Sequence, residues 1–208
     1  MDNQQVTLLA LLDLSAVFEC VDHDILLSRL QSSFGLGGIT LTWIQSFLTD
    51  RSQRVLCNGS LSIEIMLLFG VPQGSVLGLL LFLLYAAQIF DIIASFRLSG
   101  YRYTYADDSQ GLYITVTPSI SQTAAAELDA CVKGLDQWMG SYRLKLNAKK
   151  TRLIWIGIGQ QLAKLTVTQL QLINSVVEFD STVTNFSVVL DGQLSMSQQT
   201  DVSTSYVS

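Results

Sequence analysis

The chain has 208 residues, of which 49% are hydrophobic and only 14% are charged. Charged residues make up about 25% of an average globular domain, so this composition predicts a folded, core-rich protein and excludes a disordered chain. The 12 basic and 17 acidic residues give a formal net charge of -5. Nucleic-acid binding usually needs a basic surface, so the charge argues against such binding by this part of a polypeptide alone.

The first third of the chain predicts a buried strand, two helices and a pair of strands. An uninterrupted apolar run that ends at Asp13 is typical of a strand buried on both faces. The predicted elements are a strand at 6–12, a helix capped by Asp22 or Asp24 that carries Leu26, Leu27, Leu30 and Phe34, a short helix through Trp43, Ile44, Phe47 and Leu48, and strands at 51–56 and 61–68 joined by a turn at Asn58-Gly59.

A long apolar segment follows the loop at 71–75 and runs from Val76 to Phe96. A membrane-spanning helix needs about 20 apolar residues. Gln88 and Asp91 interrupt this segment, so a core helix capped by Ser75 is favoured over a membrane span. We therefore expect no membrane partner.

The second half predicts a hairpin, a long helix and further strands. Residues 101–116 alternate in polarity around Asp107 and Asp108, which indicates a β-hairpin with an acidic tip. The other elements are a helix of about five turns from Ser119 with an apolar stripe of Ile120, Ala124, Leu128, Cys131, Leu135 and Trp138, strands at 144–146, 153–156 and 183–190, and a polar stretch at 191–208. This order predicts an α+β fold, an antiparallel sheet with helices packed on one face.

Cysteine usage and the first residues indicate the compartment. Cys20, Cys57 and Cys131 are odd in number and far apart, which predicts neither a zinc site nor a disulfide framework. A reducing intracellular compartment, nucleus or cytoplasm, is therefore expected. The residues after Met1 lack the basic region of a secretory signal, so secretion is not expected.

Three aspartates stand where two-metal chemistry could use them. Nucleotide addition uses two divalent cations about 3.5–4 Å apart, held by carboxylates on rigid elements. Asp13 at a strand end and Asp107 and Asp108 at a hairpin tip could hold them if the two elements are neighbours. An Asp-Asp pair in a turn is more often only turn chemistry, and an Asp after a strand is often a cap, so both interpretations stay open.

Literal strings add a family resemblance. Tyr105-Ala106-Asp107-Asp108 matches the Tyr-x-Asp-Asp box of reverse transcriptases. Four further blocks resemble non-LTR (LINE-type) retrotransposon enzymes in the family's order: LDLSAVFECVDH ending at His23, WIQSFLTDRSQRV at 43–55, GVPQGSVLGLLLF at 70–82, and Trp138 followed by LKLNAKKT at 144–151. Together they span residues 6 to 157, with a weaker echo at 183–192.

The resemblance implies a reverse-transcriptase-like palm with a ferredoxin-like (split βαβ) core. We expect a palm core at 1–160, a palm-to-thumb strand region at 161–192 and a truncated polar tail at 193–208, with the fingers upstream and the thumb downstream. The implied activity is RNA-directed DNA polymerisation, in which two Mg²⁺ ions support nucleotidyl transfer to a primer 3′-OH. The implied partners are an RNA template, a DNA primer and deoxynucleoside triphosphates.

Two other functional interpretations remain open. One is a catalytically inactive, truncated retroelement remnant that self-associates through surfaces normally covered. The other is a small membrane protein built on the segment 76–96.

The resemblance also assigns roles residue by residue. Asp13, Asp107 and Asp108 would bind the metals, and Leu14 would offer its carbonyl. Phe18 would be a steric gate against a 2′-hydroxyl, although an ordinary core aromatic is the alternative. Two further assignments complete the set: Gln73 and Gly74 against the nucleotide and template, and Lys150 as a proton donor or phosphate contact, with a solvated surface lysine as its alternative.

Some positions depart from the family pattern. Glu19, Cys20 and Leu79 stand where Asp, Thr and Pro are usual. Ser187 replaces the glycine of a motif that resembles the primer grip, which puts a tight turn there in doubt. Arg51 and Arg54 are interpreted as surface residues, and His23, the only histidine, as structural.

Overall fold

A computed structural model describes residues 4–15, 17–96, 98–101, 110–173, 175–185 and 188–195. The chain forms two compact units. The sheet unit comprises Met1–Ser15, Ile89–Trp138 and Leu146–Ser208, and the helical unit comprises Ala16–Gln88 and Met139–Lys145. The helices are α1 (His23–Ser32), α2 (Gly38–Leu48), α3 (Val76–Ala86), α4 (Ile89–Ser95), α5 (Ser121–Ser141) and α6 (Gly159–Leu162). The strands are β1 (Val6–Leu12), β2 (Ser52–Gln53), β3 (Leu56–Cys57), β4 (Ser60–Leu61), β5 (Ile65–Met66), β6 (Ser99–Tyr101), β7 (Gln110–Val116), β8 (Arg152–Gly157), β9 (Gln169–Leu172), β10 (Ser175–Glu178), β11 (Thr182–Asn185) and β12 (Val188–Asp191).

A four-stranded antiparallel sheet in the order β6-β7-β1-β8 is the centre of the sheet unit. β1 lies inside this sheet. The face with Val6, Leu8, Ala10 and Leu12 is fully buried, whereas on the other face Leu11 is buried and Thr7 and Leu9 are partly buried. On one face Leu11 and the β8 residue Ile154 pack against Val183 of β11. The strand predicted at 6–12 is confirmed to the residue, and the predicted burial is complete on one face and partial on the other.

The long helix α5 carries most of the predicted apolar stripe. Four of the six predicted members of that stripe are buried: Ala124, Leu128, Cys131 and Leu135. Ile120 is not part of the helix, because Pro118–Ile120 forms a separate 3₁₀ turn that leaves Ile120 half-exposed. Trp138 is only partly buried, and the next residue, Met139, occupies the fully buried position.

Two predictions for the second half need correction, and one hairpin there was not predicted. The strand predicted at 183–190 is a hairpin, β11 paired with β12, in which Val183 is opposite Leu190. The strand predicted at 144–146 is a single bridge between Leu146 and Leu14, because the backbone turns away after one pair. The hairpin of β9 and β10 was not predicted, although Gln169–Leu172 alternates polar and apolar residues as a half-buried strand does.

The helical unit begins with a capped helix. The Asp22 carboxylate accepts hydrogen bonds from the backbone N–H groups of Asp24 and Ile25, so Asp22 is the cap of α1. Phe34 does not lie on this helix as predicted, because Ser33 ends it and Phe34 is 40% exposed. Gly35 follows with a φ of 67°, a conformation that turns the chain away from the helix axis. The next helix, α2, begins at Gly38, earlier than predicted.

A two-stranded ribbon follows α2. The predicted turn is confirmed, since Asn58 and Gly59 both have positive φ, 48° and 79°, as a type I′ hairpin turn requires. The ribbon also exposes apolar side chains to solvent: Val55, Leu56, Leu61, Ile63, Ile65, Met66 and Leu68. Such a surface favours association with another apolar surface.

The apolar segment predicted as one helix is two helices. Ser75 caps α3 as predicted, because its Oγ accepts from the backbone N–H of Gly78 at 2.9 Å. The helix is broken at 87–88, where the Gln88 side chain accepts hydrogen bonds from Arg29 and Tyr142. By length and composition alone the stretch Val76–Ser95 could cross a membrane, but 39% of it is buried and it contributes core residues.

Tyr85 of α3 ties this helix to the segment after α5. Its side chain is fully buried, and its hydroxyl donates to the Tyr142 carbonyl at 2.7 Å. The two rings meet edge to face with centroids 5.4 Å apart. Arg29 lies over the Tyr142 ring and donates to Gln88, which extends the polar network.

Burial raises the pKa of Tyr85 to about 12 from its ordinary value near 10. The folded state therefore keeps the phenol neutral at pH values where the unfolded chain has already lost that proton. This contribution to stability is fully present below about pH 10 and is lost as the pH rises from about 10 to about 12. We expect urea unfolding at several alkaline pH values to show a steeper loss of stability in the parent than in Tyr85→Phe. Equal slopes would contradict the prediction.

Candidate active site

Asp13 lies immediately after β1, at the end of the central strand. Its side chain is 9% exposed, and Oδ2 is buried without a hydrogen-bond donor among the described residues. The ammonium group of Lys150 lies 3.6 Å from this oxygen, which is close enough for charge attraction and too long for a hydrogen bond. A buried carboxylate in this state fits a hard divalent cation, which supplies the missing ligand contact.

The loop that carries Lys150 is held on the backbone of Asp13. The backbone N–H of Asn147 donates to the Asp13 carbonyl at 2.8 Å, and Leu146 forms a bridge with Leu14. Thr151 is buried and donates through its hydroxyl to the Asn147 carbonyl at 3.0 Å. These contacts fix the path of the loop, while the Lys150 side chain itself remains 70% exposed. Lys150 is therefore free to change partner.

A cavity of about 550 Å³ in the sheet unit contains this charge pair. Its lining includes polar residues that sequence reasoning missed, among them Asp180, whose Oδ2 is buried without a hydrogen-bond partner among the described residues. No motif singles out these positions, because they come from separate strands that only the fold brings together. The lining residues are Leu11, Asp13, Lys150, Arg152, Asp180, Thr182, Val183 and Thr184.

The hairpin with the predicted acidic tip is present, but its tip is not described. Asp107 and Asp108 lie outside the described residues, which stop at Tyr101 and resume at Gln110. β6 and β7 pair on either side, with Tyr101 opposite Gly111. No group of three metal-ligating side chains occurs within the described ranges.

The register of β7 on β1 bears on the distance between the two acidic positions. Leu12 pairs with Gln110, so Asp13 is one residue beyond that pair. Asp108 is two residues before Gln110 in the chain. The first residue of β7 thus lies beside the end of β1 that carries Asp13.

In the helical unit, the loop before α3 carries Gln73 and Gly74. Gly74 has a φ of 81°, which favours glycine, and both residues are exposed. A Cβ on Gly74 would meet nothing within 4 Å, so the positive φ and not a close approach requires glycine in this state. Gln73 is thus presented to solvent at the top of a capped helix.

Phe18 belongs to the same unit and is buried. Its ring packs on Phe82 of α3 with centroids 5.2 Å apart. The contact is the one expected of a core aromatic, and it also fixes the ring on a rigid helix. Leu14, on the sheet unit, is likewise buried.

Comparison with known proteins decides the family. A model of the reverse transcriptase (RNA-dependent DNA polymerase) family matches residues 1–189. The chain belongs to the reverse transcriptase family. The resemblance found in its sequence motifs is therefore confirmed.

The curated relatives of this reverse transcriptase chain are proteins of transposable elements from Drosophila melanogaster. The probable RNA-directed DNA polymerase from transposon BS is 30% identical over 154 residues. The RNA-directed DNA polymerase from mobile element jockey is 30% identical over 156 residues. Each match covers 72% of this chain and 16% of the relative, so the chain corresponds to a small part of those proteins.

Solved structures support the reverse-transcriptase-like fold. Apo telomerase from Candida tropicalis, truncated from its C-terminal domain, superposes with a TM-score of 0.51 at 14% identity, over 83% of this chain and 34% of that one. Candida albicans telomerase in complex with a TWJ fragment of telomeric RNA gives 0.52 at 16% identity, over 91% and 32%. Helices combined with antiparallel sheets, as predicted, are therefore confirmed, and identities this low support the fold alone.

Proposed function

We propose that this chain is the palm part of an RNA-directed DNA polymerase of a non-LTR retrotransposon. The observation that carries the proposal is the Asp13 carboxylate, buried at the end of the central strand without a hydrogen-bond donor among the described residues. Family membership over residues 1–189 supports the class of reaction. The proposed substrates are deoxynucleoside triphosphates, a DNA primer and an RNA template.

Asp13, Asp107 and Asp108 are the proposed ligands of two Mg²⁺ ions. Such ions, when bound, stabilise the charge on the attacking and leaving oxygens of the transferred phosphoryl group. Asp13 fits this role through the buried oxygen that lacks a donor among the described residues, because an unpartnered buried carboxylate is costly without a cation. Leu14 would add its backbone carbonyl, since it follows Asp13 directly.

Lys150 would be free to act on the triphosphate when Asp13 serves as a metal ligand. The Lys150 backbone is held near the site by the Asn147 contacts, and its side chain is mostly in solvent. It can therefore swing to the triphosphate and donate a proton to, or neutralise, the departing pyrophosphate. Phe18 would exclude a 2′-hydroxyl, and Gln73 and Gly74 would border the nucleotide and template.

Primer extension on an RNA template with Mg²⁺ tests the proposal. The parent chain is expected to add deoxynucleotides, and the Asp107→Asn, Asp108→Asn double variant is expected to add none, because two carboxylate charges are lost. Lys150→Met in the same assay is expected to lower kcat by about a hundredfold or more, since a proton-transfer group typically contributes about 10²–10⁴-fold, with a smaller effect on KM. An unchanged kcat would remove Lys150 from the proposal.

One observation favours a second candidate, a self-associating remnant without activity. The apolar ribbon of 55–68 is exposed to solvent, which favours aggregation. Analytical ultracentrifugation combined with the extension assay separates the two. A monomer that unfolds cooperatively and extends primers excludes the remnant, whereas an oligomer that extends nothing, or no more than the double variant, excludes the polymerase.

A further inference from the structure

Two side chains from different elements donate to a single backbone carbonyl in the helical unit. His23, in the first turn of α1, places Nε2 2.9 Å from the Gly70 oxygen. Arg51, just before β2, donates through its guanidinium to the same oxygen at 2.8 Å. A carbonyl only accepts, so Nε2 of His23 carries the proton, and both lone pairs of the oxygen are used. We call these three residues the Gly70 clamp.

The backbone around Gly70 leaves no room for adjustment. The Gly70 N–H donates to the Val21 carbonyl and the Val71 N–H donates to the Phe18 carbonyl, each at 2.8 Å. Gly70 has a φ of 88°, and a Cβ added there would lie 2.9 Å from the Phe18 oxygen and 3.0 Å from the Glu19 Cα. The chain at 18–21 therefore lies directly against the start of the loop at 70–74.

Phe69, the residue before Gly70, is held by a further contact. The guanidinium of Arg143 lies 4.4 Å from the centre of the Phe69 ring, in cation–π geometry. The same group donates to the Asp22 carboxylate at 2.8 Å. Asp22 precedes His23, so the contacts of Phe69 and Gly70 converge on the same short segment at the start of α1.

We propose that His23 and Arg51 are positioning residues that fix the loop at 70–74 against the segment of Phe18 and thereby set the selection of deoxynucleotides over ribonucleotides. The inference rests on the proposed polymerase function. Phe18 is held through its carbonyl by Val71 and through its ring by Phe82 of α3. In the chain, Gln73 and Gly74 lie between Val71 and Phe82. The clamp therefore controls the spacing between the Phe18 ring and the turn at Gln73-Gly74.

Two donors, His23 and Arg51, restrict the orientation of the Gly70 carbonyl more than one donor would. A single hydrogen bond leaves the carbonyl free to rotate about the bond, whereas donors from α1 and from the segment before β2 hold it from two directions. Arg54 provides a matched comparison nearby. It is an exposed arginine of the same ribbon, and its guanidinium pairs with Glu64, not with Gly70.

Amide hydrogen exchange at Gly70 and Val71 tests the clamp without any need for catalysis. In the double variant His23→Ala, Arg51→Met, exchange of these two amides is expected to accelerate by about tenfold or more, because local opening no longer breaks the two side-chain bonds. Arg54→Met should leave both rates unchanged, and His23→Gln, which keeps a donor, should retain part of the protection. Unchanged rates in a folded double variant would overturn the clamp.

If the double variant does not fold, the single variants Arg51→Met and His23→Gln decide the matter. Each is expected to accelerate the same two amides by about several-fold, since each weakens or removes one hydrogen bond of modest net strength. If both single variants exchanged the Gly70 and Val71 amides at the same rates as the parent, the clamp would be rejected.

Single-nucleotide extension with dTTP or UTP tests the consequence for selection. The double variant, or Arg51→Met if the double variant does not fold, should lose selectivity, mainly through a lower KM for UTP, because a displaced Phe18 no longer excludes the 2′-hydroxyl, while Arg54→Met keeps the parent ratio. Faster exchange with unchanged selectivity would reject the positioning role. A parent chain that extends no primer would reject the proposed function, and with it the role in selection, while the exchange data still decide the clamp.

Discussion

An Asp13→Asn variant is expected to lose primer extension by at least about a thousandfold, because a metal ligand is worth several kcal/mol and about 1.4 kcal/mol corresponds to tenfold in rate. Asparagine has the same shape, and the Asp13 carbonyl would still accept the Asn147 N–H. The lost attraction to Lys150 is small, since that lysine is mostly exposed. Activity should therefore fall without a matching change in the urea midpoint. Extension rates and urea unfolding measured on the same preparation check both parts.

The control for this variant is Asp129→Asn on α5. Asp129 also pairs with a lysine, since Lys133 lies 2.7 Å away one helical turn later. Lys133 is 59% exposed and Asp129 is 23% exposed, and an i,i+4 pair whose lysine is mostly in solvent contributes only about 0.3–0.5 kcal/mol. Asp129→Asn should extend primers at the parent rate. If Asp13→Asn retains a comparable rate, Asp13 is not a metal ligand, and the proposed mechanism fails at its best-described residue.

The sequence was sufficient where neighbouring residues determine the structure. The apolar run of β1, the Asp22 and Ser75 caps and the Asn58-Gly59 turn depend on residues within a few positions, and the structure contains each of them. The break at 87–88 was missed because a single polar residue such as Gln88 does not by itself end a helix, and the contacts of Gln88 come from Arg29 and Tyr142 elsewhere in the chain. Hydrophobic pattern alone does not report such partners.

The candidate site also has residues that the sequence indicates and contacts that only the fold shows. Motifs pointed to Asp13 and Lys150, and the structure brings these two together. The means by which they meet, Asn147 bonded to the Asp13 backbone, has no local signal. The same holds for Asp180 in the cavity, and for His23, which was interpreted as structural and bonds a carbonyl 47 positions away. Arg51 was expected on the surface, yet it is half-buried against Gly70. Asp107 and Asp108 remain predictions.

Two of the helical glycines, Gly78 in α3 and Gly140 in α5, are expected to respond in opposite directions to alanine. Alanine is preferred over glycine in a helix interior by about 1 kcal/mol, so the sequence alone predicts stabilisation at both Gly78 and Gly140. The structure supports this only at Gly140, near the end of α5, where an added Cβ meets nothing within 4 Å. Gly140→Ala should therefore keep or raise the free energy of unfolding.

Gly78→Ala should instead lower the free energy of unfolding by about 2 kcal/mol or more, because overpacking that forces backbone to move typically costs 1–3 kcal/mol. An added Cβ would lie 2.2 Å from the Pro72 carbonyl oxygen and 2.7 Å from Ser75 Oγ. Neither oxygen can move without the loss of a hydrogen bond, because Ser75 Oγ caps α3 through the Gly78 N–H and donates to the Pro72 carbonyl. Relief of the overlap must move the loop that carries Gln73 and Gly74, so primer extension should fall as well. Urea midpoints of both glycine variants, compared at equal m-values, measure the difference, and a Gly78→Ala chain as stable as Gly140→Ala would show that this loop is not packed against α3 as described.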